Sequence, residues 1–148
     1  MFIPEKTYKT IISLMPIPAV EAIIINSKND LLVLKRNNPP AKGEWWFPGG
    51  RIRRGDTFSQ TLKREVKEET GLDVEMLGFI GVYERLFPER HDIPLVFLCR
   101  CKDDQKVTLN SEHSDYKFLN VNRAFAELHK MLKEVLADMF GKNLVKFQ

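Results

Sequence analysis

Three glutamates, Glu65, Glu68 and Glu69, stand at i, i+3 and i+4 in the segment TFSQTLKREVKEET, Thr57–Thr70. On a helix, at about 100° per residue, they share one face roughly 100° wide. Carboxylates this close repel one another, by about a few tenths of a kcal/mol per exposed pair and more when partly buried. A divalent cation relieves that repulsion, and an oxygen-only cluster suits a hard ion such as Mg²⁺ or Mn²⁺. An acidic face interleaved with Lys63, Arg64 and Lys67 is also what an ordinary solvated helix presents. The surroundings separate the two readings. Leu62 and Val66 anchor an adjoining apolar stripe, Gly49-Gly50 upstream lets backbone approach a ligand closely, and Arg51, Arg53 and Arg54 supply guanidinium groups for phosphate. Together these residue types point to metal-assisted chemistry on a phosphorylated compound.

The carboxylates need a helix that starts and stops in the right place. Asp56 or Thr57 can cap its first turn, and Gly71 lies where a helix C-terminus favours a left-handed residue. Upstream, Tyr8, Ile11, Ile12 and Met15 are spaced for one face, which predicts a short amphipathic helix over Lys6–Met15, ended by Pro16 and Pro18. Ala19–Asn26 reads as a buried strand, Ser27-Lys28-Asn29-Asp30 as a turn and Leu31–Lys35 as a second strand of a hairpin. Asn37–Gly43, with Pro39 and Pro40, is a loop, and Trp45–Phe47 a short aromatic segment whose two tryptophans face opposite ways. Downstream, Leu77–Phe87 is predicted as a strand with a bulge at Gly78 or Gly81, Glu89–Asp92 as a polar turn, and Pro94–Cys101 and Tyr116–Leu119 as strands. Asn122–Phe140 reads as one helix, with Phe125, Leu128, Leu132, Val135, Leu136 and Met139 as its stripe and Gly141 as its stop. Strands and helices in this order predict the α+β class, as an α/β/α sandwich with helices on a mixed sheet.

Composition narrows the function classes. A chain of 148 residues fits one domain, 1–148, and 43% hydrophobic with 29% charged residues is the balance of a folded globular protein. Apolar runs such as Ala22–Ile25 are too short for a bilayer, and Met1–Lys6 does not read as a secretory signal. Cys99 and Cys101, two apart on a strand, point the same way but are stretched apart, which disfavours a bridge. A reducing cytoplasm is therefore expected. The net charge of +3 is mild, and the densest basic cluster is the arginines at 51, 53 and 54. A small phosphorylated ligand accounts for such a cluster, so no nucleic-acid partner and no membrane partner is expected.

The stretch Gly50–Leu72 resembles the Nudix box, GX5EX7REUXEEXGU with U aliphatic. Gly50 is followed by five residues and then Asp56, where the family has Glu. Seven residues later, Arg64-Glu65-Val66-Lys67-Glu68-Glu69-Thr70-Gly71-Leu72 matches every fixed position of the second half. The usual Glu of the Gly-Gly-x-x-Glu opening is Arg53 here. The resemblance implies a Nudix hydrolase acting with Mg²⁺ or Mn²⁺ on a nucleoside diphosphate linked to another group. Glu68 and Glu69 would bind metal, Glu65 would bind metal or activate water, and the carbonyl of Gly49 or Gly50 would complete the shell. In the family the first acid and the arginine hold the loop on the helix, a pairing that falls here to Asp56 and Arg64.

A narrower likeness covers Asn26–Arg36, Pro40–Arg51 and Glu112–Phe118, which are similar to the GDP-mannose mannosyl hydrolases of that family. This implies release of GDP and mannose by water attack at the sugar C1, and a homodimer. By position His113 would be the general base, Glu112 a metal ligand, Arg36 and Arg51 the diphosphate contacts, and Glu21 an acceptor for the N–H donors of guanine. Neutral histidine suits the base role at pH 7. Tyr83 and Phe87 could line a base or sugar pocket. Glu21, in an apolar strand, is costly to bury alone and could instead pair with a lysine or arginine. His91 and His129 are assigned to surface or packing. The subfamily's box lacks two of the three helix carboxylates, whereas all three are present here. A full cluster suits attack on phosphorus, so cleavage of the P–O–P bond of a nucleotide sugar, ADP-ribose or a damaged nucleoside triphosphate is the alternative expectation.

Overall fold

The computed structural model describes residues 2–142. It opens with helix α1 (Glu5–Leu14), continues through strands β1 (Ile17–Ile25), β2 (Leu31–Arg36), β3 (Trp45–Trp46) and β4 (Gly49–Arg51), and reaches helix α2 (Phe58–Thr70). Strands β5 (Val74–Val82), β6 (Arg85–Leu86), β7 (His91–Cys101) and β8 (His113–Leu119) follow, then helices α3 (Val121–Glu127) and α4 (Lys130–Gly141). The strands form a mixed sheet of order β3-β2-β1-β7-β5, with β4 on β1, β6 on β7 and β8 on β2. Only the β1–β7 pair is parallel, matching Ile17–Ile25 to Asp92–Arg100. This is the α/β/α sandwich expected from the element order.

Strand β1 is buried almost throughout because it is covered on both faces. Val20, Ala22 and Ile24 pack towards Leu62 and Val66 of α2, while Ile23 and Ile25 pack towards Leu132, Val135, Leu136 and Met139 of α4. Along its length β1 exchanges partners: Ile25 pairs with Leu31 of β2, but Ala19–Glu21 pair with Arg51–Gly49 of β4. The sheet splits where β1 leaves β2 for β4, and the residues of interest gather at that split. Among the described residues, no helix is long and apolar enough to cross a membrane.

Several elements differ from the sequence reading. The run predicted as one strand over Leu77–Phe87 is β5 and β6, because Val82 ends one pairing with β7 and Arg85 begins another. The expected bulge is present as two register shifts, at Met76/Gly78 and Phe79/Gly81. The turn placed at Glu89–Asp92 closes earlier, with the Phe87 N–H donating to the Arg90 carbonyl, so that His91 and Asp92 belong to β7. The final helix is two. Leu128 is extended (φ −68°, ψ 150°) and bridges to Trp45, and His129 then caps α4 by accepting the Met131 N–H on Nδ1 at 3.2 Å. The apolar stripe runs unbroken across this joint because Leu128 stays buried, which is why periodicity alone reads one helix. Cys99 and Cys101 are both free and buried in the α2-side core.

Candidate active site

Helix α2 is fixed at both ends by its own sequence. Thr57, rather than Asp56, is the N-cap: Thr57 Oγ1 accepts the Gln60 N–H at 3.1 Å and the Gln60 side chain accepts the Thr57 N–H at 2.8 Å. Gly71 stops the helix in the left-handed region, at φ 73°. Asp56 is thereby released to ion-pair with Arg64, whose other amino group lies 3.3 Å from Glu65 Oε1. The methylene lost relative to glutamate does not prevent the loop from being held on the helix.

The double glycine lets the carboxylates stand against backbone. A Cβ on Gly50 would lie 2.4 Å from the Glu65 carboxyl carbon, and one on Gly49 would lie 2.2 Å from the Val20 carbonyl oxygen. The Gly49 N–H donates to Glu69 Oε2 at 3.0 Å. Glu69 is only 4% exposed. Burial raises its pKa well above the ordinary carboxylate value, and Glu112 and Glu65 raise it further against the opposing pull of the Gly49 N–H. Glu65 is raised too, first by burial and then by the charge of Glu68, partly offset by Arg64.

Strand β8 brings the remaining ligand candidates to this corner. Its register sets His113 opposite Arg36 of β2, after a shift at Lys35/Arg36. Glu69, Glu112 and His113 each offer a ligand atom, all within 4.8 Å of one another. His113 is thus at a strand end, buried, with Nδ1 lacking a hydrogen-bond partner, and burial followed by the charge of Arg36 lowers its pKa to about 4. It is neutral at pH 7. Glu68 is exposed and lies outside this group of three, although its charge reaches Glu65. A buried carboxylate facing other carboxylates is costly unless a proton or a cation lies among them. The carboxylate oxygens of this set are donors that suit a divalent cation, and the neutral imidazole adds a nitrogen donor beside them.

Beside the carboxylates a cavity opens at the split in the sheet, bordered by Gly49, Gly50 and Glu69 and walled by Glu21, Arg36, Trp46 and Phe87. Arg36 is anchored through Nε to the Pro40 carbonyl at 2.6 Å. Glu21 has taken the paired option: Oε1 accepts from Arg85 at 2.7 Å and Oε2 accepts the Trp46 indole N–H at 2.9 Å. Arg85 is 2% exposed, packed between the rings of Trp46 and Tyr83. Two expected pocket residues point elsewhere. Tyr83 is buried in the core and donates its hydroxyl to Asp138 of α4 at 2.7 Å, and the Arg51 guanidinium lies over the Tyr8 ring of α1 at 5.7 Å. Neither lines the cavity. His129 packs against Trp46 with its ring tilted by 42° and centroids 5.1 Å apart, in keeping with its assignment to surface or packing. The residues missed by sequence reasoning are Arg85, Arg90 and Asp92, which line the cavity from the β6–β7 hairpin. An arginine inside a strand of aromatic and aliphatic residues was the one available signal.

Carboxylates gathered at one corner, Glu65 beside Arg64 and Glu69 on a backbone N–H, stand next to arginines that line the same opening, an arrangement suited to metal-assisted hydrolysis of a phosphate anhydride or ester. Residues 15–139 match the family model described as NUDIX domain, and the chain belongs to the Nudix family, as one of its hydrolases. The low-salt glycan biosynthesis protein Agl8 of Haloferax volcanii is 28% identical over 123 residues, 78% of each chain. The ADP-ribose pyrophosphatase of Methanocaldococcus jannaschii is 40% identical over 87 residues, covering 57% of this chain and 51% of that enzyme, about half its length. Among solved structures, the MutT protein of Methanosarcina mazei superposes with a TM-score of 0.79 at 26% identity, over 88% of this chain and 97% of that one. The NUDIX domain of Shewanella oneidensis NrtR, solved with ADP ribose, superposes with a TM-score of 0.71 at 18% identity, over 97% of this chain and all of that one, a likeness of fold.

Proposed function

We propose that this chain hydrolyses the P–O–P bridge of a nucleoside diphosphate joined to a second group, of the nucleotide-sugar or ADP-ribose kind. The observation that carries this reading is the complete carboxylate set: Glu69 buried and Glu65 half-buried against the glycine corner, Glu68 beside them, and Glu112 delivered by the approach to β8. The pyrophosphatase relative and the glycan-biosynthesis relative support the substrate class. Glu68, Glu69 and Glu112, with the carbonyl at Gly49, would hold a divalent ion, Mg²⁺ or Mn²⁺, which when bound offsets the charge that develops on the leaving phosphate. Arg36, anchored at Nε, holds the diphosphate with its remaining N–H donors. Glu65, its pKa raised by burial, takes the proton of the attacking water. Trp46 and Phe87, 5.9 Å apart by ring centroids, wall the cavity against bulk solvent.

One observation favours a second bond. The His113 imidazole is buried, neutral and unpartnered at Nδ1 beside Glu69, as a base for water attack at a sugar C1 would be. In that reading GDP-mannose gives GDP and mannose. The guanine contact expected of Glu21 is the weaker part of it, because each Glu21 oxygen already accepts from Arg85 or Trp46. Hydrolysis in ¹⁸O water decides between the bonds. The proposal expects nucleoside monophosphate plus sugar phosphate with label on phosphorus. Label in free sugar, together with a fall of about 10²–10⁴-fold in His113→Gln, the range for a lost general base, overturns it in favour of the second reading.

A further inference from the structure

The β6–β7 hairpin places a second arginine at the cavity, and nothing in the chemistry above uses it. Arg90 follows the tight turn closed by the Phe87 N–H and the Arg90 carbonyl, and its Nε donates to both oxygens of Asp92 at 2.8 Å each. Asp92 is itself fixed, because it pairs with Arg85 of β6 on one side and with Ile17 of β1 on the other. The carboxylate thus holds the guanidinium by its inner nitrogen, and the two outer nitrogens make no hydrogen bond to the protein among the described residues. Arg36 is held in the same manner, through Nε to the Pro40 carbonyl. Both line one cavity, next to Glu69. They also stand near enough for the charge of Arg90 to reach Arg36, whose pKa is lowered first by burial and next by Arg90. Two guanidinium groups, each tethered at Nε with the outer fork free, make a clamp for an anion with oxygens on more than one side.

We infer that Arg90 is the second arm of this clamp, binding the phosphoryl oxygens of a diphosphate group together with Arg36, and that Asp92 is the residue that positions it. The inference rests on the proposed action on a diphosphate, and it adds a substrate-binding residue on an element remote from the Nudix box. The alternative is an ion pair that merely closes the hairpin.

The test is equilibrium binding of inorganic pyrophosphate to the full chain in EDTA, followed by calorimetry, with thermal unfolding of every variant alongside. Arg90→Ala should weaken pyrophosphate binding by about 10- to 100-fold, the worth of hydrogen bonds to a charged group, and Arg36→Ala by a similar factor. Arg90→Lys keeps the charge against Asp92 but loses the fork, so it should keep the melting temperature and still bind several-fold more weakly. It decides the matter if the alanine variant fails to fold. Wild-type affinity in Arg90→Lys and Arg90→Ala, or no pyrophosphate binding by the wild type, overturns the clamp. The two readings fail separately. Nucleotide-sugar turnover with an unchanged KM in Arg90→Ala removes the clamp and leaves the hydrolase. Arg90-dependent pyrophosphate binding without turnover of any nucleotide diphosphate leaves the clamp and removes the hydrolase.

Discussion

The two walls of the cavity solve opposite electrostatic problems. On the α2 wall, Glu69 is buried among carboxylates that raise its pKa, with a single backbone N–H from Gly49 to meet it. On the far wall, Glu21 is also buried but both of its oxygens are occupied, one by Arg85 and one by Trp46. The first wall leaves its buried carboxylate facing like charge. The second is complete within the protein and serves as a floor. A buried glutamate is therefore not by itself a sign of a ligand site; what its neighbours already supply decides.

The same substitution on each wall sharpens this contrast, and the largest stability effect belongs to the finished one. Glu21→Gln strips the counter-charge from Arg85, which is almost wholly buried, and removal of one partner of a buried pair costs about 3–5 kcal/mol. Chemical denaturation should show that loss with or without magnesium. Glu69→Gln should do the reverse. Because the folded pKa of Glu69 lies above the ordinary value, its ionised form opposes folding at neutral pH, and a neutral amide relieves that opposition. The metal-free variant should be at least as stable as the wild type, while kcat/KM with Mg²⁺ falls by about 10²–10³-fold, the size found when a group stabilising transition-state charge is removed. Chelation with EDTA should abolish turnover, and Mg²⁺ or Mn²⁺ should restore it. Loss of stability in Glu69→Gln comparable to that in Glu21→Gln would end the distinction between the walls.

The walls also differ in how far the sequence discloses them. Everything on α2 lies within one contiguous stretch, where helical periodicity, a cap, a glycine stop and the box spacing all act over short separations. The helix in that stretch and the α/β/α architecture agree with the sequence reading, and Glu112 and His113 lie close to Glu69. The far wall is assembled from β1, the Pro40 loop, β3 and the β6–β7 hairpin, brought together by pairings that no local pattern encodes. Arg85 and Arg90 look like polar residues of a strand end and a turn until β7 is paired with β1. Tyr83 shows the converse error. An aromatic near the right place in sequence turns towards α4, because its neighbours on that face are Asp138 and the α4 core rather than the cavity. Likewise Leu128 continues an apolar stripe while leaving the helix, since its burial is satisfied in either conformation.

Caps give the smallest and most local form of the comparison. Thr57 is recognisable from its spacing to Gln60, and replacing a threonine cap by alanine costs about 1 kcal/mol. Its other consequence depends on what else holds the start of α2. Asp56 and Arg64 pin the loop one residue upstream, independently of the Thr57 hydroxyl, and the carboxylates begin two turns later at Glu65. Thr57→Ala should therefore lower the denaturation midpoint by that small amount and leave kcat/KM within about twofold, since surface changes away from the reacting groups seldom exceed half a kcal/mol in effect. If the same variant instead lost activity as Glu69→Gln does, the positions of Glu65 and Glu69 would depend on the cap and not on the Asp56–Arg64 pair. The α2 wall would then owe its geometry to the helix end rather than to the loop that the box places against it.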